Sequence, residues 1–263
     1  MLPKAEIGVF GGSGFYSFLD APEEVAIETP YGSTSDSVSV GEISGRRVAF
    51  IPRHGRRHQL PPHAINYRAN MWTFRELGVT RVLAPCAAGS LQPDIGPGDF
   101  VVCDQVFDRT WGRRDTYYDG PETVHVSMAD PYCPELRSVA IEAAGLLDIN
   151  VHPQGTMVVI QGPRFSTRAE SAFYSTQGWH VIGMTQYPEV VLARELEMCF
   201  VNISLVTDYD AGVTGHRPVS VEAVLEVFRD NTEKLGKLLL EIIPRIPEHR
   251  ACVCGDVLRS SRI

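Results

Sequence analysis

No stretch of the 263 residues gathers lysine and arginine into a dense run, and the formal net charge is −8. A nucleic-acid binder neutralises phosphates with clustered cations, so that class is argued against, and only Arg53, Arg56 and Arg57 form a local basic knot. Long apolar runs are missing too: none reaches the length that crosses a bilayer. The N-terminus lacks the charged segment, apolar stretch and small-residue cleavage site of a signal peptide, so a cytoplasmic location is expected, with no membrane and no nucleic acid as partner. Cysteine is scarce. Of six, Cys86, Cys103, Cys133 and Cys199 are scattered through apolar surroundings, as reduced buried thiols usually are. Only Cys252-Val253-Cys254 forms a motif, either a disulfide clip or half of a metal site for which the sequence offers no second pair of ligands.

What is present is enough apolar residue, 44%, to bury a full core. Ile7 to Phe10 reads as a buried strand running into the turn Gly11-Gly12-Ser13-Gly14, where backbone N–H groups can approach an anion. Further strands are expected at Arg47 to Ile51, Val79 to Ala84, Gly98 to Val102, Gly155 to Gln161, His180 to Met184 and Cys199 to Thr207. Helical spacing marks Ala64 to Leu77, a segment from near Pro188 to Met198, and Val221 to about Ile243. Pro85 to Ser90 reads as a small-residue loop at a strand end, and the tail from Pro244 onward as polar and extended. No repeat or low-complexity linker divides the chain. The pattern predicts an α/β single domain with a mixed central β-sheet flanked by helices, and polar clusters at the strand ends where such sheets place their ligands.

Three clusters carry chemistry. Arg53-His54-Gly55 at a strand end can grip a dianion, or be a solvated basic loop. Phe165-Ser166, after Gly162-Pro163-Arg164, can offer a ring face and a hydroxyl to a flat ligand, or be a core Phe and a helix-capping Ser. Asp208 and Asp210 sit at the end of the most apolar run, where buried carboxylates are costly unless something pairs with them. Extended-chain alternation puts both on one face, able to reach one edge of a flat base, and no His or Cys lies at ligand spacing to make them a metal site.

Taken in order, these segments resemble the methylthioadenosine phosphorylases, a branch of the trimeric purine-nucleoside phosphorylase family. The resemblance runs to about Pro247 and is carried by Gly11-Gly12-Ser13-Gly14, Thr29-Pro30-Tyr31-Gly32, Arg53-His54-Gly55, Asn66-Tyr67-Arg68-Ala69-Asn70, Ala88-Gly89-Ser90-Leu91, Asp130-Pro131-Tyr132-Cys133-Pro134, Gly162-Pro163-Arg164-Phe165-Ser166, Met184-Thr185, Pro188-Glu189 and Thr207-Asp208-Tyr209-Asp210. It implies a nucleoside phosphorylase domain over residues 1–247, followed by a Cys-x-Cys tail over 248–263. It also implies phosphorolysis of 5′-methylthioadenosine to adenine and 5-methylthioribose 1-phosphate, a purine-salvage reaction. Phosphate would sit among Ser13, Arg53, His54, the Cys86-Ala87 backbone and Thr185. Met184 would lie under the ribose, Phe165 and Ser166 would flank the base, and Asp208 and Asp210 would read its edge, with Asp208 as catalytic acid. His125 matches a residue that reaches the neighbouring subunit's nucleoside, which implies a homotrimer.

The chain departs from the adenosine-preferring members at Gly183, where they often carry Asn. Asp208 and Asp210 nonetheless point to a 6-aminopurine, because the 6-oxopurine branch resembles an Asn at the first of these positions. Phosphate is a co-substrate and the reaction needs no metal or organic cofactor. The competing readings are a phosphorylase for inosine, guanosine or 5′-halogenated adenosines, a hydrolytic nucleosidase, and a non-catalytic nucleoside-binding module. The glycine spacing at Gly11 to Gly14 is not that of a dinucleotide site.

Overall fold

Apolar side chains alternate along the central strands, so both faces of the sheet demand cover, and helices supply it. The computed structural model describes residues 2–11, 19–213 and 220–262. Its strands are β1 (Ile7–Gly11), β2 (Asp20–Val25), β3 (Glu28–Thr29), β4 (Gly32–Ser33), β5 (Val38–Ile43), β6 (Arg46–Pro52), β7 (Arg81–Ser90), β8 (Phe100–Val101), β9 (Gln105–Arg109), β10 (Val151–His152), β11 (Thr156–Ile160), β12 (Val181–Gly183) and β13 (Cys199–Tyr209). The α-helices are α1 (Tyr67–Leu77), α2 (Pro134–Leu146), α3 (Arg168–Thr176), α4 (Gln186–Glu195) and α5 (Val221–Arg245), and a 3-10 helix spans Val253–Ser260.

Eleven strands form one mixed sheet with the path β10-β8-β13-β7-β1-β6-β5-β2, and β12, β11 and β9 branch from β7. The expected α/β architecture with a mixed sheet is therefore what the chain adopts. Along β7 and β13, Val82, Ala84, Phe200 and Val206 join a core with Phe74 of α1 and Val190 of α4. Leu83, Val201, Ile203 and Leu205 point the other way, onto Leu136 of α2 and Leu238 of α5. Full burial of each such side chain contributes about 1.5–3 kcal/mol over exposure, which makes the layered arrangement the dominant constraint on these segments.

Several boundaries differ from the sequence expectation for local reasons. The first long helix starts at Tyr67 rather than Ala64, because Asn66 caps it by accepting from the Ala69 N–H at 3.2 Å. Pro85 to Ser90 is not a loop but the second half of β7, held in parallel register against Ile203 to Tyr209 of β13. The helix expected near Pro188 starts at Gln186, with Tyr187 departing from helical geometry at φ −110° and ψ 129°. Strand β13 runs on through Asp208 and Tyr209, past a register shift after Val206. Sequence periodicity gave no sign of α2, α3 or the β2 to β5 hairpins. The tail is not extended: its 3-10 helix packs on the body, burying Cys254.

Candidate active site

The pairing of β1 with β7 stops at Leu83, and β12 joins β7 only from Gly89. Between them, among the described residues, one edge of β7 is free of a strand partner and faces a cavity of about 920 Å³, within the range of small-molecule sites. The cavity lies at the carboxyl ends of β1, β6, β7, β11, β12 and β13, as an α/β sheet dictates. Arg53, Cys86, Ala87, Met184, Thr185, Phe165, Ser166, Asp208 and Asp210 all line it, although their sequence positions span more than half the chain.

At one end of the cavity sits Arg53, directly after β6 and only 4% exposed. Its guanidinium grips Glu189 in a fork, Nε to Oε1 at 2.5 Å and Nη2 to Oε2 at 2.9 Å, and Nη1 donates to the Pro85 carbonyl at 3.1 Å. Among the described residues three of its five N–H groups are thus engaged, leaving two to offer an anion. Glu189 is wholly buried; desolvation pushes its carboxyl above the ordinary range and the Arg53 charge opposes that. Burial also depresses His54 to about 4, so its imidazole is neutral near pH 7 and adds no second charge. Its Nδ1 lies 2.9 Å from the Leu60 carbonyl, an acceptor only, so Nδ1 carries the proton and Nε2 is left as a hydrogen-bond acceptor. The turn that presents both residues requires Gly55: φ is +76°, and a Cβ there would stand 2.2 Å from the Gln59 amide. Thr185, buried at the start of α4, makes no capping bond with its hydroxyl. Burial pushes the Cys86 thiol up, keeping it neutral beside the site.

The other end is built on Gly89, four residues along β7 from Pro85 and so about 13 Å away. A Cβ at Gly89 would meet Asp208 Oδ2 at 3.0 Å and Asp210 Cβ at 3.6 Å, so the missing side chain is what lets both carboxylates settle over the strand. Burial raises Asp208 to about 6; the Thr207 hydroxyl, donating to Oδ1 at 2.8 Å, lowers it in part and the nearby Asp210 raises it. Asp210 is 4% exposed. Among the described residues its Oδ2 meets no hydrogen-bond donor, and the buried Ser166 hydroxyl is likewise without a partner. Buried polar atoms are almost always satisfied, so two orphans in one cavity mark where a ligand's polar edge belongs. Between the two ends lies Met184, packed on the Gly162 backbone and against Ile160 and Ile182.

The family model described as the phosphorylase superfamily matches residues 6–244. The chain belongs to the phosphorylase superfamily. It is 54% identical to S-methyl-5′-thioadenosine phosphorylase of Thermofilum pendens, over all of both chains. It is 53% identical to purine nucleoside phosphorylase of Streptomyces coelicolor, over 97% of this chain and 95% of that one. Among solved structures it resembles methylthioadenosine phosphorylase from Schistosoma mansoni in complex with adenine, with a TM-score of 0.93 and 36% identity, covering 98% of this chain and 99% of that one. The family read from the motifs is borne out.

Of the residues singled out in the sequence, the structure brings together all but two. Ser13 lies outside the described residues. His125 is exposed and absent from the cavity lining; its backbone N–H donates instead to the Ser261 carbonyl at 2.8 Å. Of the basic knot, Arg56 also lines the cavity, but its guanidinium is paired with Glu24 and Asp36. Several family motifs are architectural, such as Asn66, whose amide donates to the Tyr31 carbonyl at 2.8 Å, and Asn70, which holds Ser35. Sequence reading gave Glu189 no function of its own; an acid directly followed by the apolar run Val190 to Ala193 was the available signal. It also missed the apolar rim from α5, where Val221 and Leu225 are 56% and 61% exposed yet line the cavity.

Proposed function

We propose that this protein cleaves 5′-methylthioadenosine with inorganic phosphate, giving adenine and 5-methylthioribose 1-phosphate. The observation that carries the proposal is the pairing, in one cavity, of a buried two-carboxylate end with a buried guanidinium end about 13 Å along the same strand. A purine edge suits the first and a phosphate dianion the second, with the sugar between them over Met184.

In this reading the base enters with N7 toward Asp208 and its amine toward Asp210. A carboxyl raised to about 6 holds a proton in a useful fraction of molecules near neutral pH, and Asp208 delivers it to N7 as the C1′–N9 bond breaks. The bonding pair leaves with adenine, and the sugar acquires oxocarbenium character. Phosphate, held by Arg53, Thr185, Ser13, His54 and the Cys86-Ala87 backbone, attacks C1′ from the opposite face and offsets the positive charge. His54 Nε2 is suited to accept a hydrogen bond from the P–OH of hydrogen phosphate, since the ring is neutral and its Nδ1–H is already committed to Leu60. Asp210 accepts from the exocyclic amine of adenine with the oxygen that meets no donor among the described residues, and Ser166 and Phe165 hold the ring. The apolar Val221 and Leu225 suit a methylthio group better than a hydroxyl at C5′. No metal or organic cofactor enters the reaction.

The working form is a homotrimer in the cytoplasm, with His125 completing the nucleoside site of the next subunit. Its exposure away from the cavity of its own chain supports this, as do the exposed aromatic side chains Phe107, Trp111 and Phe173, which suit a subunit face. Release of adenine from methylthioadenosine, followed with and without phosphate, tests the whole reading. Strict phosphate dependence is expected, and equal rates in phosphate-free buffer would leave a hydrolase instead.

A further inference from the structure

Outside the cavity, the most unusual chemistry is a gathering of sulfur. Cys133 immediately precedes α2, Cys199 opens β13, Cys252 immediately precedes the C-terminal 3-10 helix, and Cys254 lies in its first turn. The four Sγ atoms lie within 4.8 Å of one another, with Cys199 and Cys252 3.3 Å apart and no disulfide formed. Cys133, Cys199 and Cys254 are at most 2% exposed. The sequence expectation that no second pair completes Cys252 and Cys254 is therefore corrected: Cys133 and Cys199 are that pair, distant along the chain and adjacent in the fold.

A tetrahedral zinc ion with Zn–S bonds of about 2.3 Å sets its four sulfurs roughly 3.8 Å apart. The observed cluster needs only small side-chain shifts to meet that geometry. Two disulfides would need bonded pairs at about 2.0 Å and would give no reason for all four sulfurs to converge on one point. Two of the sulfurs sit at helix N-termini, where unpaired backbone N–H groups stabilise thiolates. The guanidinium of Arg250 packs on Gly255, the residue after Cys254. A closed set of four cysteines selects a thiophilic divalent ion and leaves no open position for chemistry.

We propose that Cys133, Cys199, Cys252 and Cys254 form a structural zinc site that fastens the C-terminal segment to the start of α2 and β13. Binding is coordination without redox: one zinc ion displaces four thiol protons and four Zn–S bonds form. None of the four residues lines the cavity. The fastened segment ends by pairing with the chain at Val124 and His125, so the ion also steadies that stretch.

The test uses the full chain, purified without a metal-binding tag, in the presence of reductant. Zinc equimolar with the chain is expected after gel filtration, and exchange for cobalt(II) should give thiolate-to-cobalt charge-transfer bands with tetrahedral ligand-field bands. Strong chelator should lower the melting temperature by roughly 5–10 °C while reductant alone leaves it unchanged. The double variant Cys252→Ser, Cys254→Ser should lose the cobalt bands and keep its turnover number. Should that variant not fold, the chelator and reductant comparison on the unaltered protein still decides. A non-reduced mass four hydrogens below the reduced mass, with melting sensitive to reductant and not to chelator, would overturn the site in favour of two disulfides. Four free thiols with no bound metal and no cobalt spectrum would overturn it equally.

Discussion

The two ends of the cavity treat buried charge in opposite ways. At the Arg53 end the cation meets a matching carboxylate in Glu189 through two hydrogen bonds, so most of its demand is met within the fold. At the Asp208 end two carboxylates share one small space, one held partly protonated by burial and the other with an oxygen that meets no donor among the described residues. The first arrangement fixes geometry; the second leaves free energy to be recovered when a ligand arrives. A satisfied buried group positions, and an unsatisfied one recognises.

Removing the proton at the unsatisfied end should have the largest effect. Asp208→Asn cannot give up a proton to the base, so turnover should fall roughly 10²–10⁴-fold in steady-state assays at saturating phosphate, with a smaller change in nucleoside affinity. The pH dependence follows from the raised carboxyl: protonated Asp208 prevails below about 6, so the rate of the native protein should decline as pH climbs through that value. The same shift costs stability. A carboxyl raised in the folded state binds more protons folded than unfolded, so its contribution to stability is favourable at acid pH and lost as pH rises through about 6. Urea unfolding should therefore find Asp208→Asn gaining on the native protein by about 1–3 kcal/mol between pH 4 and pH 7. Near-normal turnover in this variant would sink the assignment of Asp208 as the acid.

Breaking the satisfied end should register first as stability. Glu189→Ala strands a guanidinium in the interior, an outcome that costs about 3–5 kcal/mol when a buried pair loses one partner. Urea unfolding should show that loss, and phosphate KM should rise because Arg53 is no longer aimed. An unchanged unfolding midpoint would mean that the Arg53–Glu189 fork holds nothing in place.

The smallest effect sharpens the comparison within the aspartate pair. Asp210→Asn exchanges an acceptor for a group that can also donate, so the gap between methylthioadenosine and methylthioinosine should narrow by about 1–3 kcal/mol in kcat/KM, mostly through the former. Position 183 cannot supply the discrimination by side chain, since it is glycine and a Cβ there would meet the Met157 sulfur at 3.2 Å. Unchanged base preference in Asp210→Asn would move the recognition rule from this carboxylate to the backbone around Gly183.

Much of the fold and of the site is legible in the sequence. Near-continuous apolar runs marked β1, β6, β7, β11 and β13, because a strand buried on both faces needs apolar residues at nearly every position. Asp208 and Asp210 stood out because carboxylates rarely follow such a run without a use. Helices α2 and α3 were not legible: α2 buries mostly the small Ala140, Ala143 and Ala144, and α3 is held by a capping box and by Ser171 and Tyr174 on its buried side. Glu189 was hidden because its function depends on a guanidinium 136 residues away.

By itself, then, the sequence determined which segments must be buried and which polar groups stand at the strand ends, since both follow from side-chain chemistry and local period. Only the tertiary structure decided which of those groups meet. The opening in the sheet between Leu83 and Gly89, the fork between Arg53 and Glu189, and the convergence of Cys133 and Cys199 on Cys252 and Cys254 are all contacts between residues far apart in the chain. Sequence period carries no information about such pairs, because they are set by how the layers pack.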